Sequence, residues 1–379
     1  MSYKIQEADL LSDKKMKKDF IQVMWNLYSG LPHWVPPLRL SLHELFSPNH
    51  PFFKTSKVKA WIAYDKSQRP VGRILAVHNP VSQKFHDNKT GFFGFFECPD
   101  DQDLANQLFN LASIYLKNQG CDSIQGPVNP STNYECGLLI EGFDDPPQIM
   151  MTYNPAYYQK LFKNYGLEKA KDLFAYSYPM EYRLPEVILK IAERTKNKEK
   201  ITYRCIDKSR WDDEVNLMLD IYNDAWEKNW GFIPMSEEEF KNMANELKMV
   251  ADPELILFAE VEGRPVAFIV CLPDYNQIFH TIPNGKLLPT GILKLLFGKK
   301  KINRVRVITI GVKKDYRRLG LETLLYVEAK NAIASKKRFS HLEMSWILED
   351  NLNMNKPLLR MGASPYKTYR IFEKGLEHL

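Results

Sequence analysis

The sequence is poor in cysteine and has no long apolar run. Its five cysteines stand far apart in 379 residues without any C-x-x-C pair, which argues against a disulfide framework and against a zinc site. The eight histidines are also scattered, so we expect no bound metal. No apolar stretch approaches the roughly 20 residues of a membrane span. The first residues, MSYKIQEADLLSDKKMKKDF, lack the apolar segment of a signal peptide. We therefore expect a cytoplasmic protein.

A strong net charge is absent as well. The net charge of +6 is small for this length, so general affinity for nucleic acid is not indicated. The distribution of charge is more informative. Residues 294–318 contain ten Lys or Arg and a single acid, Asp315, whereas residues 127–159 contain four acids and no Lys or Arg. The first stretch would suit an anion and the second a cation, and the alternative for each is a solvated surface.

Three short similarities recur at nearly one spacing along the chain. The sequence RPV at 69–71 returns 195 residues later at 264–266, with an apolar run on both sides of each copy. Two further matches, Gly166 with Gly362 and Trp34 with Trp230, are 196 residues apart. Such agreement is hard to obtain by chance and indicates two copies of one fold. We place the copies at 1–190 and 200–379; the alternative is two unrelated α/β domains.

The second copy alternates strands and helices. A strand at 201–207 precedes helices at about 212–229 and 236–250, and Ser236 with Glu239 forms a capping box for the second helix. A hairpin with an EGR turn follows, and then a strand at 305–312, a helix at 320–335, a strand at 341–346, a helix ending at Gly362 and a last strand. This order predicts an α/β (α+β) fold with mixed central sheets flanked by helices.

The turn YRRLGLETLL at 316–325 joins the strand at 305–312 to the next helix. The start of a helix leaves about four backbone N–H groups without partners, and the helix dipole adds positive charge there. Glycine allows a close approach of the backbone, and arginine can supply a charge-assisted contact. The turn is therefore a candidate site for a diphosphate.

These residues resemble the GCN5-related N-acetyltransferase (GNAT) superfamily, which carries an R/Q-x-x-G-x-G/A turn between a strand and a helix. The whole chain resembles a tandem GNAT protein of an uncharacterised bacterial group. The resemblance implies that the second copy binds acetyl-CoA or another acyl-CoA, with Asn351, 11 residues before Gly362, near the thioester. The cofactor contacts that it implies are Ile310, Gly311, Val312, Arg317, Arg318, Leu319, Gly320, Leu321, Thr323 and Asn351.

The resemblance implies an N-acetyltransferase that moves an acetyl group from acetyl-CoA to a small-molecule or peptide amine. Glu322 stands where the family prefers Gly or Ala, and Leu358 replaces its usual tyrosine acid. The strand VRVITIGV has no acid, so Glu343 and Asp350 are the candidate bases, and Asn351 is the other candidate catalytic residue. These departures keep a non-catalytic CoA-binding module as an alternative.

The first copy lacks the phosphate turn. Residues 95–119 contain no glycine and no arginine, and acids stand at the expected helix start, so we expect no CoA there. This copy instead carries an acidic insertion at 129–158. Asn129, Asn133, Glu135 and Glu141 could bind an amine or polar acceptor, and the alternative is a loop that packs over its own domain.

Two further alternatives concern partners. Tandem GNAT proteins include aminoacyl-tRNA-dependent transferases, but residues 294–318 have only Phe297 and Tyr316 as aromatics, so base stacking on RNA is not expected. The inserted stretch GILKLLFGKKK at 291–301 is amphipathic with a basic end. We expect it to pack on its own domain; contact with a partner or a membrane surface is the alternative. The oligomeric state is left open.

Overall fold

The computed structural model describes residues 2–198 and 200–377. The chain divides into two compact units. Unit 1 contains Met1–Leu173, Ile278–Leu296 and Lys367–Leu379, and unit 2 contains Phe174–Gln277 and Phe297–Tyr366. The predicted α/β class with mixed sheets and flanking helices is confirmed. The predicted domain limits, 1–190 and 200–379, concern the sequence repeat and stay a prediction.

Unit 1 begins with a short strand and the helix that packs on its sheet. Its elements in chain order are β1 (Lys4–Ala8), α1 (Lys14–Tyr28), α2 (Arg39–Leu45), α3 (Phe52–Thr55), β2 (Lys57–Tyr64), β3 (Pro70–His78), α4 (Pro80–His86), β4 (Thr90–Glu97), α5 (Gln102–Asn118), β5 (Ser123–Gly126), β6 (Val128–Asn129), β7 (Glu135–Cys136), β8 (Leu138–Glu141), α6 (Tyr158–Tyr165) and β9 (Glu168–Pro179), whose second half belongs to unit 2.

The remaining elements belong mainly to unit 2. They are α7 (Glu186–Lys196), β10 (Ile201–Cys205), α8 (Trp211–Trp226), α9 (Glu237–Lys248), β11 (Ile256–Val261), β12 (Arg264–Pro273), α10 (Asn276–Phe279), α11 (Gly291–Gly298), β13 (Arg304–Val312), α12 (Leu321–Ser335), β14 (His341–Leu348), α13 (Leu352–Met361) and β15 (Ser364–Gly375). From Lys367 onward, β15 is part of unit 1, and the limit between the units falls within α11.

The two units repeat one strand pattern. In unit 1 the order is β1-β2-β3-β4-β5, and in unit 2 it is β10-β11-β12-β13-β14. In each series the first three pairings are antiparallel and the fourth is parallel. Gly166 and Gly362, the glycines matched in the sequence, both end a helix with a left-handed backbone, at φ 87° and 93°. The repeat predicted from the sequence is confirmed.

Local sequence explains the two helices that matter most for the site. In α5, apolar residues recur every three or four positions and are buried against an aromatic core in which Phe96 and Phe109 stack at 4.5 Å. In α12, Leu321, Leu324 and Leu325 are buried in the same way. The predicted cap of α9 is also present, because the Ser236 hydroxyl accepts a hydrogen bond from the amide of Glu239.

The segment Ile278–Leu296 packs against the first helices of unit 1. Trp25 donates its indole N–H to the carbonyl of Pro283, and the amide of Arg39 donates to the carbonyl of Gly285. The Arg39 guanidinium lies 3.7 Å from the Trp25 ring centroid. Among the described residues, no helix has both the length and the apolar character that a membrane crossing requires.

Candidate active site

The strands β13 and β14 separate partway along their length. They pair in parallel from Arg304 with His341 to Val307 with Met344. Beyond these residues β13 continues to Val312 and β14 to Leu348, without further pairing between them in the described part of the chain. The edge of β13 that faces β14 therefore offers free backbone groups from residue 308 onward. This opening is called the strand gap of unit 2 below.

A polar atom without a partner marks this gap. The Thr309 hydroxyl is buried and has no hydrogen-bond partner among the described residues. Ile308 is an extra residue on β13, because Thr309 pairs with Val270 while Val307 pairs with the next residue, Cys271. Such a bulge bends the strand and increases its twist. A buried hydroxyl without a partner is costly in a complete core, which suits a site that another molecule completes.

The start of α12 provides a second set of free donors. Gly320 precedes the helix at φ 83°, and no side chain caps the helix start. Leu321, Glu322 and Thr323 are the first three residues of α12, where an N–H group has no i−4 carbonyl within the helix, and the amide of Leu324 donates to the carbonyl of Gly320. Three adjacent N–H groups at a helix start form a favourable site for an anion.

Gly320 has a different role from the one that the sequence suggests. Its left-handed backbone favours glycine, but a Cβ there would lie 2.6 Å from the Thr195 hydroxyl oxygen, not in an open groove. Thr195 and Lys198, at and beyond the end of α7, donate to the carbonyl of Leu319. One side of the turn is therefore covered by α7, and Gly320 allows this close packing.

The basic residues of the turn fall into two groups. Lys313 pairs with Asp220 of α8, and Lys314 pairs with Glu227, so both charges are largely neutralised. Although both lysines belong to the basic stretch 294–318, these ion pairs do not favour them as phosphate contacts. Arg317 and Arg318 are exposed. Arg317 donates one N–H to the carbonyl of Ala225. These two arginines are the cations that remain for an anion at α12.

Glu322 and Tyr326 lie one helical turn apart on α12. The Glu322 side chain is exposed, and partial desolvation raises its pKa while Arg317 acts to lower it. Burial also raises the pKa of Tyr326, with the negative charge of Glu322 as the next cause. The Tyr326 hydroxyl lies 3.8 Å from the sulfur of Met354 on α13. Sequence reasoning missed Tyr326, although its i, i+4 spacing from Glu322 indicates it.

The start of α13 holds the candidate Asn351. Its side chain is half-buried and makes no capping hydrogen bond to the helix. Asn355, one turn later, is fully engaged, because it donates to the carbonyls of Leu348 and Glu349 and accepts from the Tyr176 hydroxyl at 2.9 Å. Leu358 is 1% exposed, so the position of the family's tyrosine acid is part of the core.

Glu343 lies in a buried polar cluster on β14. Only 1% of its surface is exposed, and its carboxylate accepts hydrogen bonds from Ser345 and Tyr366. The guanidinium of Arg306, also buried, lies 3.6 Å away and donates to Ser345. These contacts suit a structural ion pair better than a proton acceptor that an amine must reach.

An aromatic cluster covers α8 near the end of β13. Tyr222 stacks on Trp226 at 5.0 Å, and Phe232 and Phe240 lie within 6 Å of the Tyr222 ring. A Cβ on Gly311 would lie 2.8 Å from the Trp226 ring, so glycine is needed for this contact. Tyr222, Trp226 and Phe240 are half-exposed, and the cluster therefore presents an apolar surface beside the strand gap.

Unit 1 fills the corresponding opening with its own chain. There β4 and β5 pair only from Thr90 to Phe92 and then separate. The side-chain oxygen of Asn129 accepts a hydrogen bond from the amide of Phe95 at 2.6 Å. A Cβ on Gly94 would overlap the carbonyl oxygen of Val128, so β6 lies directly against β4. Asn129, a candidate substrate residue, therefore completes the sheet of unit 1.

The other candidates of the acidic insertion are distributed over two places. Asn133 lies in the turn between β6 and β7, and Glu135 pairs with Asn129 across this hairpin, so these three residues are close. Glu141 lies on β8, where its carboxylate accepts from the Thr368 hydroxyl. The buried Lys367 donates to the carbonyls of Asp145 and Pro146. The acidic stretch thus meets a cation of its own chain.

The start of α5 is closed to anions. The carboxylate of Asp101 caps the helix by accepting from the amide of Leu104, and it also accepts from the Tyr3 hydroxyl. A carboxylate at this position satisfies the free donors and repels a phosphate. The helix start of unit 1 therefore carries a carboxylate cap where α12 has no side-chain cap.

The residues of unit 2 fit an acyl-CoA. Free amides and two arginines at the start of α12 would hold its diphosphate, and the unpaired edge of β13 would pair with its amide-bearing arm. The partnerless Thr309 hydroxyl lies on this same stretch of strand. Among the described residues, no group of three or more His, Cys, Asp or Glu side chains is arranged to hold a metal ion.

Comparison with known proteins identifies the family. Residues 215–362 match the model of the acetyltransferase (GNAT) family. The chain is 36% identical to Protein YghO of Escherichia coli over 96% of its length and 93% of that protein. It is 34% identical to the bacterial ceramide synthase of Caulobacter vibrioides, over 95% and 94% of the two chains. A tandem GNAT protein from the clavulanic acid biosynthesis pathway shares the fold, with a TM-score of 0.58, 9% identity and full coverage of both chains. The chain therefore belongs to the GNAT superfamily as a tandem member, and it is an acyltransferase.

Proposed function

We propose that the chain is an acyl-CoA-dependent N-acyltransferase, which forms an amide between an acyl group and an amine. The observation that carries the proposal is the strand gap of unit 2 beside the uncapped start of α12. The gap provides unpaired strand edge, and the helix start provides free amides beside Arg317 and Arg318. An acyl-CoA needs these two kinds of contact together. Acetyl-CoA is the simplest donor that fits.

The roles of the residues follow from their positions. Bound acyl-CoA would supply an acyl group already activated as a thioester. The amides of Leu321 to Thr323 bind and orient the diphosphate, and the edge of β13 aligns the arm, so that much of the rate comes from positioning. Asn351 can donate a hydrogen bond from its amide at the start of α13. Tyr326 holds a proton on its hydroxyl, because burial raises its pKa, and we propose it as the donor in place of the tyrosine that Leu358 displaces.

A long-chain acceptor or donor is favoured over a small polar one by two observations. The half-exposed aromatic cluster of Tyr222, Trp226 and Phe240 borders the strand gap, and apolar chains gain most from such a surface. One relative at 34% identity is named a ceramide synthase, and a ceramide is the fatty-acid amide of a long-chain amino alcohol. We therefore propose a long-chain amino alcohol as the first acceptor to test and both acetyl-CoA and long-chain acyl-CoA as donors.

Thermal unfolding with and without cofactor tests the binding step. Acetyl-CoA or a long-chain acyl-CoA at about 100 times its dissociation constant should stabilise the protein by about 2.7 kcal/mol, which raises the melting temperature by several degrees. Thr323→Glu places a second carboxylate at the start of α12 and should remove this shift. Asn331→Glu adds the same charge at an exposed position two turns further along the helix and should keep it.

Transfer assays with labelled donor and a panel of amines test the chemistry. We expect amide formation by the wild type and by Asn331→Glu, and no amide formation by Thr323→Glu. A thermal shift without transfer to any amine would indicate a CoA-binding module without catalysis. If no acyl-CoA shifts the melting temperature but aminoacyl-tRNA binds, the aminoacyl-tRNA-dependent alternative is correct and the proposal is wrong.

A further inference from the structure

Helix α11 exposes an apolar face to solvent. Ile292, Leu293, Leu296 and Phe297 are 43%, 52%, 60% and 76% exposed, and Leu288 just before the helix is 72% exposed. This differs from the expectation that the insertion packs against its own domain. The four helix residues share one side of α11, and together with Leu288, which precedes the helix in the chain, they are called the α11 face below. Globular proteins rarely expose a contiguous apolar patch of this kind unless it is an interaction site.

The exposure is a property of one side of the helix only. Gly291 is buried, and a Cβ there would lie 3.4 Å from the Ile282 side chain; Leu295, one turn later, is half-buried. At 100° per residue the α11 face covers the side away from these two positions. The amide of Ile292 donates to the carbonyl of Leu287, and Lys294 donates to the carbonyl of Thr281. The helix is therefore anchored with its apolar side outward.

Positive charge surrounds this face. Lys286 precedes the helix, Lys294 lies beside the exposed arc, and Lys299, Lys300 and Lys301 follow it, all of them exposed. From Tyr275 to Lys314 the sequence contains no Asp or Glu. The Arg338 guanidinium donates to the carbonyl of Lys299 at 2.6 Å, which contributes a contact to residues 299–301. Apolar side chains bordered by lysines are complementary to the interface of an anionic lipid bilayer.

We infer that the α11 face is a docking surface for an anionic membrane, on which the helix lies in the headgroup layer without crossing it. An anionic lipid surface is favoured as the occupant because lysines lie on both sides of the apolar arc and no acid occurs from Tyr275 to Lys314. The inference is independent of the acyltransferase proposal, because it rests on a different part of the chain and on no cofactor.

Vesicle sedimentation with the full chain tests this inference. The protein should bind vesicles of phosphatidylcholine with about a quarter phosphatidylglycerol more tightly than pure phosphatidylcholine vesicles, and added salt should weaken this binding. The double variant Leu293→Glu with Phe297→Glu should bind the anionic vesicles at least about tenfold more weakly. Changing Lys299, Lys300 and Lys301 to Gln should weaken binding to anionic vesicles alone, by about tenfold.

The matched control is a double variant elsewhere on the surface. Leu40 and Ile114 are 55% and 50% exposed, and Leu40→Glu with Ile114→Glu should leave vesicle binding unchanged. All variants should keep the wild-type circular dichroism and transfer to a water-soluble amine. A wild-type protein that binds neither vesicle overturns the inference. So does a wild-type dimer in light scattering that the Leu293→Glu/Phe297→Glu variant dissociates, since the α11 face would then contact a second copy.

Discussion

The two units contain the same separation of strands but use it differently. In unit 1, β4 and β5 part after Phe92, and Asn129 occupies the opening by accepting from the amide of Phe95. In unit 2, β13 and β14 part after Val307, and the described chain leaves the Thr309 hydroxyl without a hydrogen-bond partner. Both separations begin near an extra residue on the central strand.

Side chains of unit 1 occupy the places that are open in unit 2. A side-chain amide carries the same acceptor as a backbone carbonyl, so Asn129 can replace a ligand that would pair with the strand edge. The helix that follows changes in the same direction, since Asp101 caps α5 whereas α12 has no side-chain cap. A few residues of unit 1 thus occupy the places that we propose as the cofactor site in unit 2.

The largest effect is expected from a substitution that adds a methyl group at Gly94, where β6 already lies against β4. Gly94→Ala places a methyl group into the carbonyl of Val128, and we expect a loss of about 3 kcal/mol in the free energy of unfolding, measured with a denaturant. Gly72→Ala is the control, because its nearest neighbours lie at 3.3 Å, and it should cost about 1 kcal/mol. Wild-type stability for Gly94→Ala would mean that the opening of unit 1 is not closed.

A second substitution tests whether the Tyr326 hydroxyl takes part in catalysis. Tyr326→Phe removes one hydroxyl from α12, and transfer should fall about a hundredfold while the thermal shift with acyl-CoA is kept. Tyr203→Phe is the control; its hydroxyl accepts from Lys196, and the rate should be unchanged. Equal rates for Tyr326→Phe and the wild type would exclude Tyr326 as the proton donor.

The smallest effect concerns the acid at the helix start of unit 2. The folded state raises the pKa of Glu322 above its ordinary value of 4.5, so it binds the proton more tightly than the unfolded state does. The free energy of unfolding therefore increases as pH falls through the raised pKa of Glu322, and it decreases as pH rises through that pKa. Protonation also removes repulsion of a phosphate. Glu322→Gln should bind acyl-CoA about two- to fivefold more tightly at neutral pH.

The pH dependence of this ratio gives the control for Glu322. Titration of the cofactor itself affects both proteins equally, so the ratio of their dissociation constants should approach one as pH falls below the raised pKa of Glu322. Calorimetric titration of acyl-CoA into both proteins at several pH values measures this ratio. A ratio that stays constant with pH would show that the carboxylate does not face the bound phosphates.

The sequence predicts the parts of this molecule that depend on local pattern. The succession of strands and helices in the second copy, the cap at Ser236 and the glycine end of α13 follow from residues close together in the chain, and the repeat follows from short matches 195 or 196 positions apart. The pairing of Lys313 with Asp220 does not, because the partners are 93 positions apart on different elements. The amphipathic pattern of α11 likewise indicates an apolar face without indicating what covers it.

The role of Asn129 cannot be predicted from local sequence pattern either. An asparagine in an acidic insertion resembles a substrate contact, and only the folded chain brings it to the amide of Phe95. Gly320 gives a similar lesson, since its left-handed backbone is predictable whereas its contact with Thr195 depends on α7. Long-range contacts decide whether a polar residue serves the fold or a ligand.

The end of the chain completes the beginning of the fold. Phe372 to Gly375 pair with β5, and Arg370 binds the carboxylate of Asp172, all within unit 1. On the ribosome these residues are made after almost all the rest of unit 1. One edge of the sheet of unit 1 therefore stays uncovered until residues 372–375 have been synthesised.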